Sequence, residues 1–212
     1  MKLALFALFA LSTTLLPLVM AAEQVVDTSG NAIFPGGRFY IMPAIFGAAG
    51  GGVKIGRTGN EICPVTVLQD YSEVIRGLPV KFTIKQDIGP GMIFTGTPLD
   101  ISFDYTSGCA ESSKWVVIDD LAAPYVGIGG AENHPGKIII DGSFSIEKVG
   151  TYSYKLVFCP IASAPPGLCY DIGRQDDMYG RRLILTTADK GDVYEVVFED
   201  AALGGGRYSI IA

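Results

Sequence analysis

Few residues in this 212-residue chain could carry out chemistry, and their spacing limits what that chemistry would be. The one histidine, His134, could serve as a general base. It sits in Asn133-His134-Pro135-Gly136, a turn sequence expected at the exposed surface. A single histidine cannot build an HExxH zinc site or a two-histidine, one-carboxylate iron site. Asp119-Asp120, Asp176-Asp177 and Glu199-Asp200 are adjacent carboxylates, and neighbours along a strand point to opposite faces, so they do not converge as a glycosidase pair. Gly129 to Ile138 approaches a phosphate-binding loop. However, the first glycine of GxxxxGK would fall at Ala131, and Ile138 stands where the hydroxyl residue is needed. With no helix pattern after it, this stretch reads as a surface turn. No GxSxG nucleophile elbow occurs. The expectation is a protein with no metal, no cofactor and no enzymatic activity of its own.

The remaining reactive groups are Cys63, Cys109, Cys159 and Cys169, whose state is set by the compartment. Lys2 precedes an apolar run from Leu3 to Met20, broken by Ser12, Thr13, Thr14 and Pro17, and Val19-Met20-Ala21-Ala22 ends it with small residues. This pattern reads as a secretory signal over 1–22, removed to leave a mature chain of 23–212. The polar interruptions argue against a membrane anchor, and no later run is long enough to span a bilayer. In an oxidising compartment four cysteines form two disulfides, with three pairings open. Cys159 and Cys169 flank a proline-rich turn, which makes their local pairing natural and leaves Cys63 with Cys109. In the chain-entropy picture the two loops are worth about 3 and about 4 kcal/mol. No CxxC pair is present to suggest zinc. Lys and Arg number 16 against 22 Asp and Glu, a net charge of −6 that disfavours nucleic-acid partners. No Asn-x-Ser/Thr site is present for N-glycosylation.

The elements that carry these residues are strands. Short β-rich runs occur at 39–42, 65–68, 80–84, 99–103, 115–118, 138–140, 144–146, 152–158, 183–185 and 193–198, several of them alternating apolar and polar residues. Most of the 27 glycines and 12 prolines punctuate the intervals. No amphipathic pattern lasts three helical turns beyond the signal, so the class is all-β, with ten to twelve strands in one domain. Gly37-Arg38-Phe39-Tyr40-Ile41, Thr97-Pro98-Leu99-Asp100-Ile101 and Thr151-Tyr152-Ser153-Tyr154 recur at intervals of roughly 55–60 residues. Periodicity alone leaves open a threefold β-trefoil and ordinary strand spacing in a sandwich.

Five ordered blocks carry a family resemblance. Val25-Val26-Asp27-Thr28-Ser29-Gly30-Asn31-Ala32-Ile33 followed by Phe39-Tyr40-Ile41, Thr58 to Val67 around Cys63, and Ser113 to Asp120 around Trp115 are three of them. Tyr154 to Pro160 with Cys169 to Gly173, and Arg181 to Leu185, complete the set. Together they resemble the Kunitz-type (soybean trypsin inhibitor) family, which usually has Tyr where Phe39 stands. The resemblance implies a β-trefoil of about twelve strands, disulfides Cys63–Cys109 and Cys159–Cys169, and a plant protein that is secreted, to the apoplast, or vacuolar. It also implies a defence role through inhibition of a protease by a loop bound like a substrate. Trp115 is expected to pack in the core.

The flanking matches place the inhibitory loop at about Lys85 to Thr95. Counting from either side puts the pocket-entering position at Asp87 or Gly89, and the reactive-loop candidates are Asp87, Ile88, Gly89, Pro90 and Met92. Trypsin inhibitors of the family carry Arg or Lys there, whereas Asp87 would repel the carboxylate of a trypsin pocket. Ile88 or Met92 suits the apolar pocket of an elastase-, chymotrypsin- or subtilisin-like enzyme. The asparagine that braces the loop in the family aligns with Pro35, which has no such side-chain donor. The expected partner is therefore a serine protease, met by a monomer, with no nucleic acid and no membrane after signal removal. The alternatives are a cysteine protease bound through another loop, or a non-inhibitory storage or binding protein of the miraculin-like kind. A lectin-type trefoil would repeat a Gln-x-Trp motif, and this chain has one Trp, outside that context.

Overall fold

A computed structural model describes residues 22–45, 49–85, 91–105, 108–163, 165–186 and 192–202. Their strands are β1 (Phe39–Pro43), β2 (Val53–Gly56), β3 (Thr66–Gln69), β4 (Val80–Ile84), β5 (Leu99–Phe103), β6 (Trp115–Ile118) and β7 (Tyr125–Ile128). They continue with β8 (Ile139–Ile140), β9 (Gly142–Lys148), β10 (Tyr154–Pro160), β11 (Tyr170–Asp177), β12 (Gly180–Leu185), β13 (Asp192–Val193) and β14 (Glu195–Asp200). Two of these, β8 and β13, are two residues long, which leaves twelve longer strands, the number the resemblance implied. The apolar run 193–198 is split at Tyr194 into β13 and β14.

Six strands pair in a ring. β14 pairs β1, β1 pairs β4, β4 pairs β5, β5 pairs β9, β9 pairs β10, and β10 returns to β14, all antiparallel. The remaining long strands form three hairpins, β2–β3, β6–β7 and β11–β12, which cap one end of this barrel. One strand from each hairpin meets the other two, since β3 pairs β7, β3 pairs β12, and β12 pairs β7. Each third of the chain thus supplies a barrel strand, a cap hairpin and a second barrel strand. The leading barrel strands start at Phe39, Leu99 and Tyr154, the period seen in the sequence. The fold is a β-trefoil.

Alternation puts one face of barrel strands β4 and β5 inside, whereas β1 is buried throughout. Along β5, Leu99, Ile101 and Phe103 are buried while Asp100 and Ser102 are partly exposed. Trp115, 1% exposed, joins cap to barrel, with its ring centroid 5.5 Å from Phe103 and 6.0 Å from Phe144. Both expected disulfides form: Cys63–Cys109 staples the first cap hairpin's approach to the second third, and Cys159–Cys169 closes the β10–β11 turn. His134 departs from expectation. It is 4% exposed rather than on the surface, and its Nε2 donates to the Ile128 carbonyl at 2.9 Å. The turn around it folds inward because this hydrogen bond and the cap interior accept the ring.

Because Trp115 fills the junction of cap and barrel, Trp115→Ala should cost about 3–5 kcal/mol. Urea unfolding followed by far-UV circular dichroism measures this; a loss under about 1 kcal/mol would contradict the packing role.

Candidate functional site

The loop singled out in the sequence joins β4 to β5, neighbouring strands of the barrel. Asp87, Ile88, Gly89 and Pro90 lie outside the described residues. Met92 is described and is 38% exposed, with its Sδ accepting from the Gln24 side-chain amide. What the structure defines is how the two limbs of the loop are held.

The limb leaving β4 continues the ladder. Ile84 pairs with Leu99, and the next residue, Lys85, donates its N–H to the Pro98 carbonyl at 3.1 Å. The Lys85 ammonium turns away along the barrel wall. It donates to the Gly142 carbonyl at 2.5 Å and pairs with Asp100 at 3.3 Å, and Asp100 also binds Lys114 at 2.9 Å. The loop's one basic side chain is thereby engaged with the scaffold.

The limb returning to β5 is clasped. Ile93 is fully buried; its N–H donates to the Ile33 carbonyl at 3.1 Å, and its carbonyl accepts from Val25 N–H at 2.9 Å. Val25 and Ile33 are equally buried and bonded to each other, Ile33 N–H to Val25 carbonyl, at 3.0 Å. Phe94 pairs with Gln24, and Thr95 N–H donates to the Glu23 carbonyl at 2.8 Å. A four-residue turn then brings Thr97 N–H to the Phe94 carbonyl at 3.2 Å, with Gly96 at φ +76°, the third-position geometry that favours glycine. Gly96 N–H finally bonds the Ile146 carbonyl of β9 at 2.9 Å.

Sequence reasoning read Val25 to Ile33 only as a block of resemblance and missed that it grips the loop. Buried Val25 and Ile33 flanking a turn were the available signal, but nothing local pairs them with Ile93. Pro35 stands beside the other arm of this turn, where Gly36 N–H bonds the Phe82 carbonyl at 3.0 Å.

A second concavity, of about 750 Å3, opens between the cap hairpins around the Cys63–Cys109 disulfide. Two of its carboxylates, Glu61 and Asp120, are committed internally. Glu61 accepts from Thr58 N–H and the Thr66 hydroxyl, and Asp120 accepts from Lys137 at 2.9 Å and from Ala122 N–H. Arg182 is held by Asp177 and lies over the rings of Tyr125 and Tyr179. Burial pushes the Tyr125 hydroxyl up to about 12. Asp176 and Asp177, adjacent on β11, do diverge: the first receives Tyr71 and Arg181, the second Arg182. No nucleophile is paired with a base among the described residues of this cleft.

The comparisons with known proteins agree with this geometry. The family model described as Kunitz legume, trypsin and protease inhibitor, matches residues 25–200. The chain is 51% identical over 210 residues to a Kunitz-type trypsin inhibitor-like 2 protein from Pisum sativum, covering 96% of this chain and 93% of that one. It is 51% identical over 189 residues to the subtilisin inhibitor CLSI-II from Canavalia lineata, covering 87% and 95%. Among solved structures, a Kunitz-type trypsin inhibitor from Cicer arietinum superposes with a TM-score of 0.77 at 53% identity, covering 84% of this chain and 99% of that one.

The hydrogen bond from Lys137 holds the Asp120 carboxyl below its ordinary value of 3.8, and the one from Tyr71 does the same for Asp176. Depressed carboxylates stabilise the fold at pH values above their unfolded pKa, and that stability is lost as pH falls through the folded pKa. The melting temperature should therefore hold nearly level from pH 7 to about 5 and fall below about pH 4. Lys137→Ala should make the acid loss smaller; an unchanged pH profile in that variant would contradict the assignment.

Proposed function

The chain belongs to the Kunitz legume family of trypsin and protease inhibitors, and from that membership we propose that it inhibits a serine protease with an apolar specificity pocket. The β4–β5 loop enters the enzyme's cleft as a substrate would, and an apolar side chain, Ile88 or Met92, fills the pocket. The observation that carries this specificity is the fate of Lys85. It is the sole Lys or Arg between Lys85 and Thr95, and its ammonium is bound to Gly142 and Asp100 rather than free for a trypsin pocket. Asp87 adds a charge of the same sign as the trypsin pocket carboxylate. The Canavalia lineata subtilisin inhibitor supports the same direction.

The physical basis is preorganisation. Lys85 and the Met92–Thr95 limb are bonded to the scaffold before binding, so these segments lose little ordering entropy in the complex. When the protease serine attacks a loop carbonyl, an ester to the enzyme forms and an amine is released. The returning limb, clasped at Ile93, keeps that amine beside the ester. The amine attacks the ester carbonyl, the peptide bond re-forms, and the proton it gives up returns to the serine oxygen. Apart from the amine of its own cut bond, the inhibitor contributes no side-chain acid, base or nucleophile to these steps.

Export is part of the proposal: Lys2 and the apolar run to Met20 support removal of residues 1–22 and release outside the cell or into a vacuole, where the two disulfides persist.

Titration of subtilisin, chymotrypsin, elastase and trypsin with the purified protein tests the function. At least one apolar-pocket enzyme should be inhibited about a hundredfold more tightly than trypsin. Replacing Ile88–Met92 with Gly and Ser should abolish that inhibition. Unchanged inhibition after the replacement would exclude this loop, and inhibition of none of the four would overturn the reading.

A further inference from the structure

The clasp on Ile93 is built from buried main chain, but it does not end there. Val25 is anchored inward: Val26 N–H donates to the Tyr154 hydroxyl and Thr28 N–H to the Phe198 carbonyl, both at 2.9 Å. Asp27, itself buried, closes the turn that follows by accepting from Ser29 and Asn31 N–H at 2.8 Å. Outward of Val25 lie two residues with no share in the core, Glu23 and Gln24, and each faces the loop and something else.

Glu23 makes three connections. Its carbonyl accepts from Thr95 N–H at 2.8 Å, and its N–H donates to the Thr95 hydroxyl at 2.9 Å. Its carboxylate is ion-paired with Lys148, at the far end of β9. Gln24 pairs with Phe94 through the main chain and reaches Met92 Sδ with its side chain. Residues 23 and 24 therefore touch Met92, Phe94 and Thr95, which flank buried Ile93 in the returning limb. The Lys148 pair fixes them to the barrel from a point outside the loop.

We propose that Glu23 and Gln24 are positioning residues for the protease-binding loop, splinting Met92–Thr95 against the barrel so that a cut loop is resealed rather than released. The inference rests on the inhibitory reading of the β4–β5 loop. It assigns to the start of the mature chain a role distinct from filling the core: Val25 and Ile33 bury the limb, whereas Glu23 and Gln24 resist its lifting when the enzyme pulls on it. Lys148 acts on the loop through Glu23.

The test is the rate at which catalytic amounts of subtilisin cut the whole protein between Lys85 and Thr95, measured by mass spectrometry, beside the inhibition constant. Glu23→Gln, Thr95→Val and Lys148→Ala each remove one tie, and each should speed cutting in the loop about two- to fivefold, as expected for exposed polar pairs. Lys148→Arg keeps the charge and should restore the parent rate. In about 1 M salt the parent should lose its advantage over Glu23→Gln and Lys148→Ala, because exposed ion pairs are screened, but should keep it over Thr95→Val. Parent-like cutting in all three variants would overturn the proposal, as would acceleration that is equal at sites outside the loop. If the parent inhibits no enzyme, the inhibitory reading fails by itself, while the ranking of cutting rates still decides whether these residues splint the limb.

Discussion

Closure of the six-strand barrel is the constraint from which the other features follow. β10 pairs both β9 and β14, and β14 pairs β1, so the sheet has no free edge on that ring. A closed ring fixes the spacing of every neighbouring pair, including β4 and β5. The loop between them leaves and re-enters the barrel at points set by the Ile84–Leu99 register. Were the ring open, β4 and β5 could shear and the loop's ends would shift with them. The three cap hairpins close one end of this cylinder, and Trp115 between Phe103 and Phe144 ties that cap to the wall.

Such a frame divides the work in a way that suits inhibition. Core burial and two disulfides supply stability. The outer polar contacts, such as Lys85 with Gly142 and Asp100 or Glu23 with Lys148, add little to it but set the direction of short segments. Binding energy in such a system comes from shape that exists beforehand rather than from area alone. Within the cap cleft, Glu61 and Asp120 are satisfied by Thr58, Thr66, Lys137 and Ala122, and the one histidine is spent on the Ile128 carbonyl.

Much of this frame was legible in the sequence, and what was not has physical causes. Barrel strands β4 and β5 alternate cleanly and the leading strands recur at a regular interval, so Phe39, Leu99 and Tyr154 mark the thirds of the trefoil. Three cap strands escaped notice. β2 is short and flanked by glycine, and β11 ends in the polar run Arg174-Gln175-Asp176-Asp177, whose side chains bond across the cap surface rather than pack. β7 carries Gly127 at its centre, which reads as a turn. Here the glycine answers to space, because a Cβ would come within 2.5 Å of Ile118 Cδ1 and 2.9 Å of the Val65 carbonyl. His134 misled for a related reason: Asn-His-Pro-Gly predicts a turn correctly but not which way the turn faces. The loop was located by its flanks. Its clasp was not, because Val25 and Ile93 are far apart in sequence and main-chain pairing over that distance leaves no local pattern. Residue spacing favoured Cys159 with Cys169 and so left Cys63 with Cys109; the resemblance implied the same two pairs.

A β4–β5 loop that is presented to a protease is also where that protease cuts first. Brief exposure of the disulfide-intact protein to a trace of subtilisin, followed by reduction and sequencing of new N-termini, locates that cut. The expected result is a single nick between Lys85 and Thr95, reached slowly and leaving cut and intact forms together at equilibrium. A first cut in another segment, or progressive digestion of the whole chain, would contradict it.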